Sequence, residues 1–253
     1  MTAHKDIHRM TACRAGRLIL LLGMLFLPGT PAAESYPPML QDPHINEAGF
    51  FDIHVCNWPD RELFFMSLFS TPRYSEVEQV EVFFPNGSLL TQLDLGNYRT
   101  IQRKEKPDKR VYMNEIDVPP GAPDGWYSTR VTLKDGKRHV ARDYVILSSL
   151  PQVSGHVPAH AAEVQEIPTQ LSWDPVPGAG IYQVFIRDLW NEDKLIYSSR
   201  LLVEPVAQLP AGLLEQGGYY SWLVHARDLN EHFMLGDFNQ GSLSPAVNFS
   251  IAP

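Results

Sequence analysis

Between about residues 48 and 148, apolar and polar positions alternate in short runs. Phe50 to Trp58, Leu63 to Ser70, Val77 to Phe84, Leu89 to Leu95, Arg110 to Val118, Trp126 to Leu133 and His139 to Leu147 each read as a β-strand. In the run after Asp124-Gly125, Tyr127, Thr129, Val131 and Leu133 share one face, while Ser128, Arg130 and Thr132 share the other. That is the pattern of an antiparallel strand with one buried side. Asn86-Gly87 and Asp135-Gly136 supply the positive φ that two-residue hairpins demand. No long stretch has the 3.6-residue period of an amphipathic helix, and Ala211 to Gln216 allows one short turn. Prolines 59, 85, 119, 120, 123, 175, 177, 210 and 245 all fall at predicted turns or strand ends, where a missing N–H removes no ladder bond.

A second unit follows Ser148 to His160, which contains Pro151, Gly155 and Pro158 and reads as a linker. The stretch Pro168-Thr-Gln-Leu171-Ser-Trp173-Asp-Pro175-Val-Pro177-Gly-Ala179-Gly-Ile-Tyr182-Gln-Val184-Phe-Ile186 resembles the opening of a fibronectin type III domain. Trp173 takes the place of its early-strand tryptophan, and Tyr182, Val184 and Ile186 that of the next strand's core. Gly218-Tyr-Tyr220-Ser-Trp222-Leu-Val224-His-Ala226 resembles the sixth strand, with Tyr220 as the tyrosine corner. Val247, Phe249 and Ile251 resemble the closing strand.

In the first unit, Asp124-Gly-x-Tyr127-x-Thr129 loosely resembles the late strand of an immunoglobulin domain, with Thr129 where that family places a cysteine. Cys56 therefore lacks the partner the antibody pattern would supply, and it reads as a small buried residue. The expected fold class is all-β, two tandem antiparallel sandwiches, immunoglobulin-like then fibronectin type III-like. The expected boundaries are a signal peptide over 1–33, an extended lead-in over 34–46, the first sandwich over 47–149, the linker over 150–162 and the second sandwich over 163–253.

The signal peptide is read from Leu18 to Leu27, ten apolar residues preceded by Lys5, Arg9, Arg14 and Arg17 and followed by Pro28-Gly29-Thr30-Pro31-Ala32-Ala33. Ten residues fall short of the roughly 20 that span a bilayer as a helix. The expected address is the periplasm or the extracellular space. Cleavage removes four basic residues and one acidic residue, leaving 17 basic and 28 acidic groups and a net charge of −11, against −8 for the whole chain. Such a balance disfavours general binding to nucleic acid or anionic lipid. Cys13 precedes the apolar run and leaves with it, so Cys56 is the one thiol of the mature chain.

The chain carries no Gly-x-Ser-x-Gly elbow, His-Glu-x-x-His pair, Cys-x-x-Cys or phosphate loop. Gly178-Ala-Gly180 sits between strands and reads as a turn. Acids such as Asp52 and Asp117 on sandwich strands read as solvated. The seven histidines of the mature chain (44, 54, 139, 156, 160, 225 and 232) are scattered, and Pro158 breaks the spacing of His156 and His160. No catalytic residue, metal ligand or cofactor is assigned. Asp237-Phe-Asn239-Gln-Gly241 resembles the first half of a calcium loop but lacks the third acid and the distal Glu. The basic run from Arg99 to Arg110 reads as a solvated loop or a protected edge strand.

Two features point to recognition. The connector from Asp228 to Gln240 carries Phe233, Met234, Leu235 and Phe238, large apolar side chains where solvation favours polar ones. Trp190 stands in the polar hairpin Asp188-Leu-Trp190-Asn-Glu-Asp193. These five are the expected partner-binding residues of an exported, non-catalytic binding or scaffolding protein, its partner another envelope or extracellular protein or a polysaccharide. Two alternatives remain, a carbohydrate-binding surface protein and a hydrolase with carboxylates at the domain junction.

Overall fold

The fold grows from two sets of alternating strands, each burying its apolar face, as a computed structural model covering residues 42–232 and 237–253 describes. The first set comprises β1 (Ile45–Asn46), β2 (Gly49–Asn57), β3 (Phe64–Thr71), β4 (Val77–Phe83), β5 (Leu89–Gln92), β6 (Tyr98–Ile101), β7 (Lys109–Asp117), β8 (Gly125–Leu133) and β9 (Arg138–Val145). One layer runs β2-β3-β7-β6 and the facing layer β5-β4-β8-β9. Phe51, Ile53 and Val55 of β2 meet Val80 and Val82 of β4 and Tyr127 and Val131 of β8 in the shared core. The basic run contributes the edge strand β6, exposed throughout.

The second set comprises β10 (Ala162–Val164), β11 (Gln170–Ser172), β12 (Ile181–Asp188), β13 (Lys194–Ser198), β14 (Val206–Gln208), β15 (Tyr219–Arg227), β16 (Gln240–Leu243) and β17 (Val247–Ile251). Trp173, Tyr182, Val184, Ile186, Trp222 and Phe249 lie in its core, the places the alternation gave them. The Glu215 N–H donates to Tyr220 Oη at 2.9 Å, and Tyr127 Oη donates to the Pro123 carbonyl at 2.9 Å. Each sandwich thus ties its late-strand tyrosine to backbone a few residues upstream, which is the tyrosine corner. The described residues form an all-β protein with no helix.

Two features depart from the sequence reading. The presumed linker is packed: Leu150 and Val153 are buried in the second core, and Val157 bridges Ser172. The second sandwich therefore starts near residue 150. The two sandwiches are also not beads on a string, because β16 pairs in parallel with β2, matching Gln240, Gly241 and Ser242 to Val55, Cys56 and Asn57. This seam joins the inner layers into one continuous sheet, and residues 41–253 form one compact unit. Gly241 permits the close approach, since a Cβ there would lie 2.6 Å from the Phe238 ring and 2.8 Å from His225 Nε2.

Candidate functional site

The seam creates a site that neither sandwich has alone. Along the β2 edge, alternate N–H groups need partners, and three different elements supply them. Phe51 donates to the His44 carbonyl at 2.9 Å, Ile53 to Asp143 Oδ2 at 2.8 Å and Val55 to the Asn239 carbonyl at 2.9 Å. Asp143 thus fills the gap where the lead-in stops and the second sandwich has not begun. It lies on the inward side of β9 between Ala141 and Val145, a charged residue in a core register.

The outward residues of β2 are Asp52, His54 and Cys56. On a lone sandwich they would face water, but β16 and the Asp228–Gln240 connector cover them. Asp52 is 0% exposed, so the expectation of a solvated acid is overturned, while Asp117 is exposed as expected. Phe238 closes the seam: its ring lies 3.7 Å, centroid to centroid, from His54 and 5.6 Å from His225, with the Arg227 guanidinium 5.2 Å from its centroid. At 5% exposure, Phe238 is a plug between the sandwiches and not the free contact residue expected of it. Phe233, Met234 and Leu235 lie outside the described residues. Trp190 is 75% exposed, with its ring 5.6 Å from Tyr219.

The connector is ordered by two aspartates. Asp228 Oδ1 accepts the N–H groups of Asn239 and Gln240, while Asp237 accepts the Asn230 side-chain amide and the His232 N–H. This brings His232 to the lead-in, where its Nε2 lies 2.6 Å from Asp42 Oδ2. His44 Nδ1 lies 3.0 Å from Asp42 Oδ1, and His44 Nε2 lies 3.0 Å from Asp143 Oδ1. Two overlapping triads, Asp42-His44-His232 and His44-Asp143-Asp237, each place three donor atoms within 4.8 Å of one another, a spacing that can hold a metal ion.

The electrostatics follow from exclusion of water. Burial pulls the His44 pKa down, but the hydrogen bond and charge of Asp143, with Asp42 behind it, win and raise it to about 9. Asp52 is pushed well above the usual carboxylate range by burial and then by the charges of Asp143 and Asp237. Its Oδ2 lies 2.7 Å from His54 Nδ1, and its Oδ1 has no hydrogen-bond partner. Burial first and the charge of Arg227 second lower His54 to about 3, keeping its imidazole neutral. Burial lifts Cys56 to about 12, which makes it an unreactive thiol, as the sequence suggested.

Beside this cluster, the face of the continuous sheet away from the cores is apolar where it crosses the seam. A groove of about 520 Å³ is lined by Met66, Leu68 and Met113 from the first sandwich and by Phe185, Leu223 and Leu243 from the second. A cleft of about 210 Å³ on the other side of the connector is lined by Trp126, Tyr144, Asn230, Glu231 and Asn239, among others.

Period-2 reasoning did not gather these residues, because 99 positions separate His44 from Asp143 and the parallel seam has no local signature. The available signals were Asp143 in an inward register and the polar-looking row Asp52-His54 opposite Phe51-Ile53-Val55. His156 and His160 do not converge: His156 packs edge-on against Trp222 at 4.9 Å, and His160 Nδ1 accepts the Asn248 N–H at 3.3 Å.

No protein-family model and no curated protein matches the chain. Similar solved structures include the chicken CNTN1 FN1-FN3 domains, at 13% identity and a TM-score of 0.27, covering 81% of this chain and 65% of that one. Titin domains A168-A170 match at 14% identity and a TM-score of 0.24, covering 78% and 62%. SGBP-B of the Bacteroides ovatus mixed-linkage glucan utilization locus, in complex with a mixed-linkage heptasaccharide, matches at 12% identity and 0.23, covering 77% and 42%. The chain spans less than two thirds of each of these three. The likeness concerns the immunoglobulin and fibronectin type III type of fold alone.

Proposed function

We propose that this chain is an exported, non-catalytic binding protein that acts as a rigid two-sandwich unit, with its main contact surface in the groove across the seam. The observation that carries this reading is the groove itself. Apolar side chains from both sandwiches, Met66, Leu68, Met113, Phe185, Leu223 and Leu243 among them, line it on a sheet face that would be polar if each sandwich stood alone. Two of them are methionines, which adapt to varied apolar surfaces, and Arg99 and Arg187 also line it, adding charge. The export part of the proposal rests on the sequence of residues 1–33.

The non-catalytic part rests on how the buried acids are spent. Asp143 offers its oxygens to His44 and Ile53, Asp237 to Asn230 and His232, and Asp52 is sealed from solvent. None is free to exchange a proton with a substrate.

A photo-reactive amino acid placed at Met113 or Leu223 in the source cell tests the reading. A defined partner crosslinked from both positions, but not from exposed Leu89, supports it. Equal crosslinking from Leu89, or none from the groove, would overturn it.

A second reading, recognition of polysaccharide, is favoured by Trp126 and Tyr144. Both are 43% exposed, their rings meet edge to face at 5.3 Å, and they border the cleft with Asn230, Glu231 and Asn239. Quenching of tryptophan fluorescence by soluble glucans, lost in Trp126→Ala, would favour this surface over the groove.

A further inference from the structure

We infer that Asp42, His44 and His232 form a binding site for one divalent transition-metal ion of the Zn²⁺ class, which staples the lead-in of the first sandwich to the connector of the second. Two imidazole nitrogens converge on one carboxylate: His44 Nδ1 is 3.0 Å from Asp42 Oδ1, and His232 Nε2 is 2.6 Å from Asp42 Oδ2. His232 Nε2 is shielded from solvent yet has no hydrogen-bond partner, so it lies near the carboxylate without being aligned on it. His44 Nδ1 and Asp42 Oδ1 share a hydrogen bond that an ion would replace, while His232 Nε2 is a free donor already beside the same carboxylate.

The surrounding residues fit the same role. Asp143 takes the other ring nitrogen of His44, a carboxylate–histidine pairing that fixes the tautomer and leaves Nδ1 to the ion. Asp237 accepts the backbone N–H of His232 and holds that residue in place.

The donor set selects the metal. Two imidazoles and one carboxylate suit Zn²⁺ and its neighbours, whereas Ca²⁺ and Mg²⁺ prefer oxygen alone. Three protein ligands leave the fourth position to water. Asp42 and His232 are each 25% exposed at the side chain, which gives the ion a way in. The overlapping triad of His44, Asp143 and Asp237 is fully buried, offers no such path, and already spends its carboxylates on other donors.

The test uses the full-length chain stripped with EDTA and titrated with ZnSO4, followed by calorimetry and thermal melting. The expected result is one site and a raised Tm. His232→Ala and Asp42→Asn each abolish the Tm rise, and Asp143→Asn weakens binding about 10- to 100-fold, as loss of a supporting carboxylate does elsewhere. Zinc held elsewhere, for instance by Cys13, would survive both ligand substitutions. Far-UV circular dichroism confirms the fold of each metal-free variant, and His232→Gln, which keeps the side-chain volume, replaces any that unfolds. No Tm rise at saturating zinc, a rise that persists in both ligand variants, or displacement by excess Ca²⁺ would overturn the inference.

Discussion

The ring of Phe238 lies 3.7 Å, centroid to centroid, from the imidazole of His54, and this contact joins the connector of one sandwich to the second strand of the other. His54 is neutral there, so the stacking is that of two flat, uncharged rings in a dry seam. With His225 and Arg227 also packed against it, Phe238 is left 5% exposed, at the edge of the groove.

Phe238→Ala should therefore act as a core mutation. Loss of a buried phenylalanine costs about 3–5 kcal/mol, and the cavity opens where two domains meet. Chemical denaturation is expected to show that loss. A change within about 0.5 kcal/mol, the range of a surface site, would return Phe238 to the role of a free contact residue.

Trp190 is the contrasting case, because its indole is 75% exposed and touches Tyr219 alone among aromatic neighbours. Trp190→Ala is expected to leave stability within about 0.5 kcal/mol of the unchanged chain. Tyr220→Phe, which removes the oxygen that accepts the Glu215 N–H, should cost about 1 kcal/mol. Measuring both by the same denaturant titration separates an exposed aromatic from a structural one.

These cases mark how far the sequence reaches. Each sandwich was legible because alternation is local: Tyr182, Val184 and Ile186 declare their face within five residues, and Tyr220 declares its corner by its neighbours. The seam was not legible, because a parallel pairing between β2 and β16 leaves no turn residue and no spacing to read. Asp52 and His54 look like solvent positions until β16 is laid beside them. Loop composition also misled at Phe238, since an apolar side chain in a connector reads alike whether it waits for a partner or fills a seam. Asp143 is the exception, a charge whose inward register between Ala141 and Val145 is local and so readable.

Acid should loosen the seam through its neutral imidazoles. His54 has a folded pKa of about 3 against an unfolded value near 6.5, depressed by burial and then by Arg227, and burial lowers His225 in the same direction. The unfolded chain therefore binds these protons first. Their contribution to stability is complete above about pH 6.5 and is lost as pH falls towards 3, by about 1.4 kcal/mol per pH unit for each proton. His54→Gln, which keeps a donor towards Asp52, should reduce that slope between pH 6 and 4 relative to the unchanged chain. Identical slopes would show that His54 is not held neutral.

Gly241 tests whether the two sandwiches fold as one. A methyl group there would meet the Phe238 ring at 2.6 Å and His225 Nε2 at 2.8 Å, both packed from other sides. Neither can retreat without opening the β2·β16 pairing, so Gly241→Ala is expected to cost about 1–3 kcal/mol as an overpacking strain. Because the seam joins both cores through one sheet, the unchanged chain should melt in a single calorimetric transition, with calorimetric and van 't Hoff enthalpies in agreement. Gly241→Ala should lower that transition or split it into two as the seam releases. Two separate transitions in the unchanged chain, with the lower one unaffected by Gly241→Ala, would show that the sandwiches fold independently and that the seam contributes little.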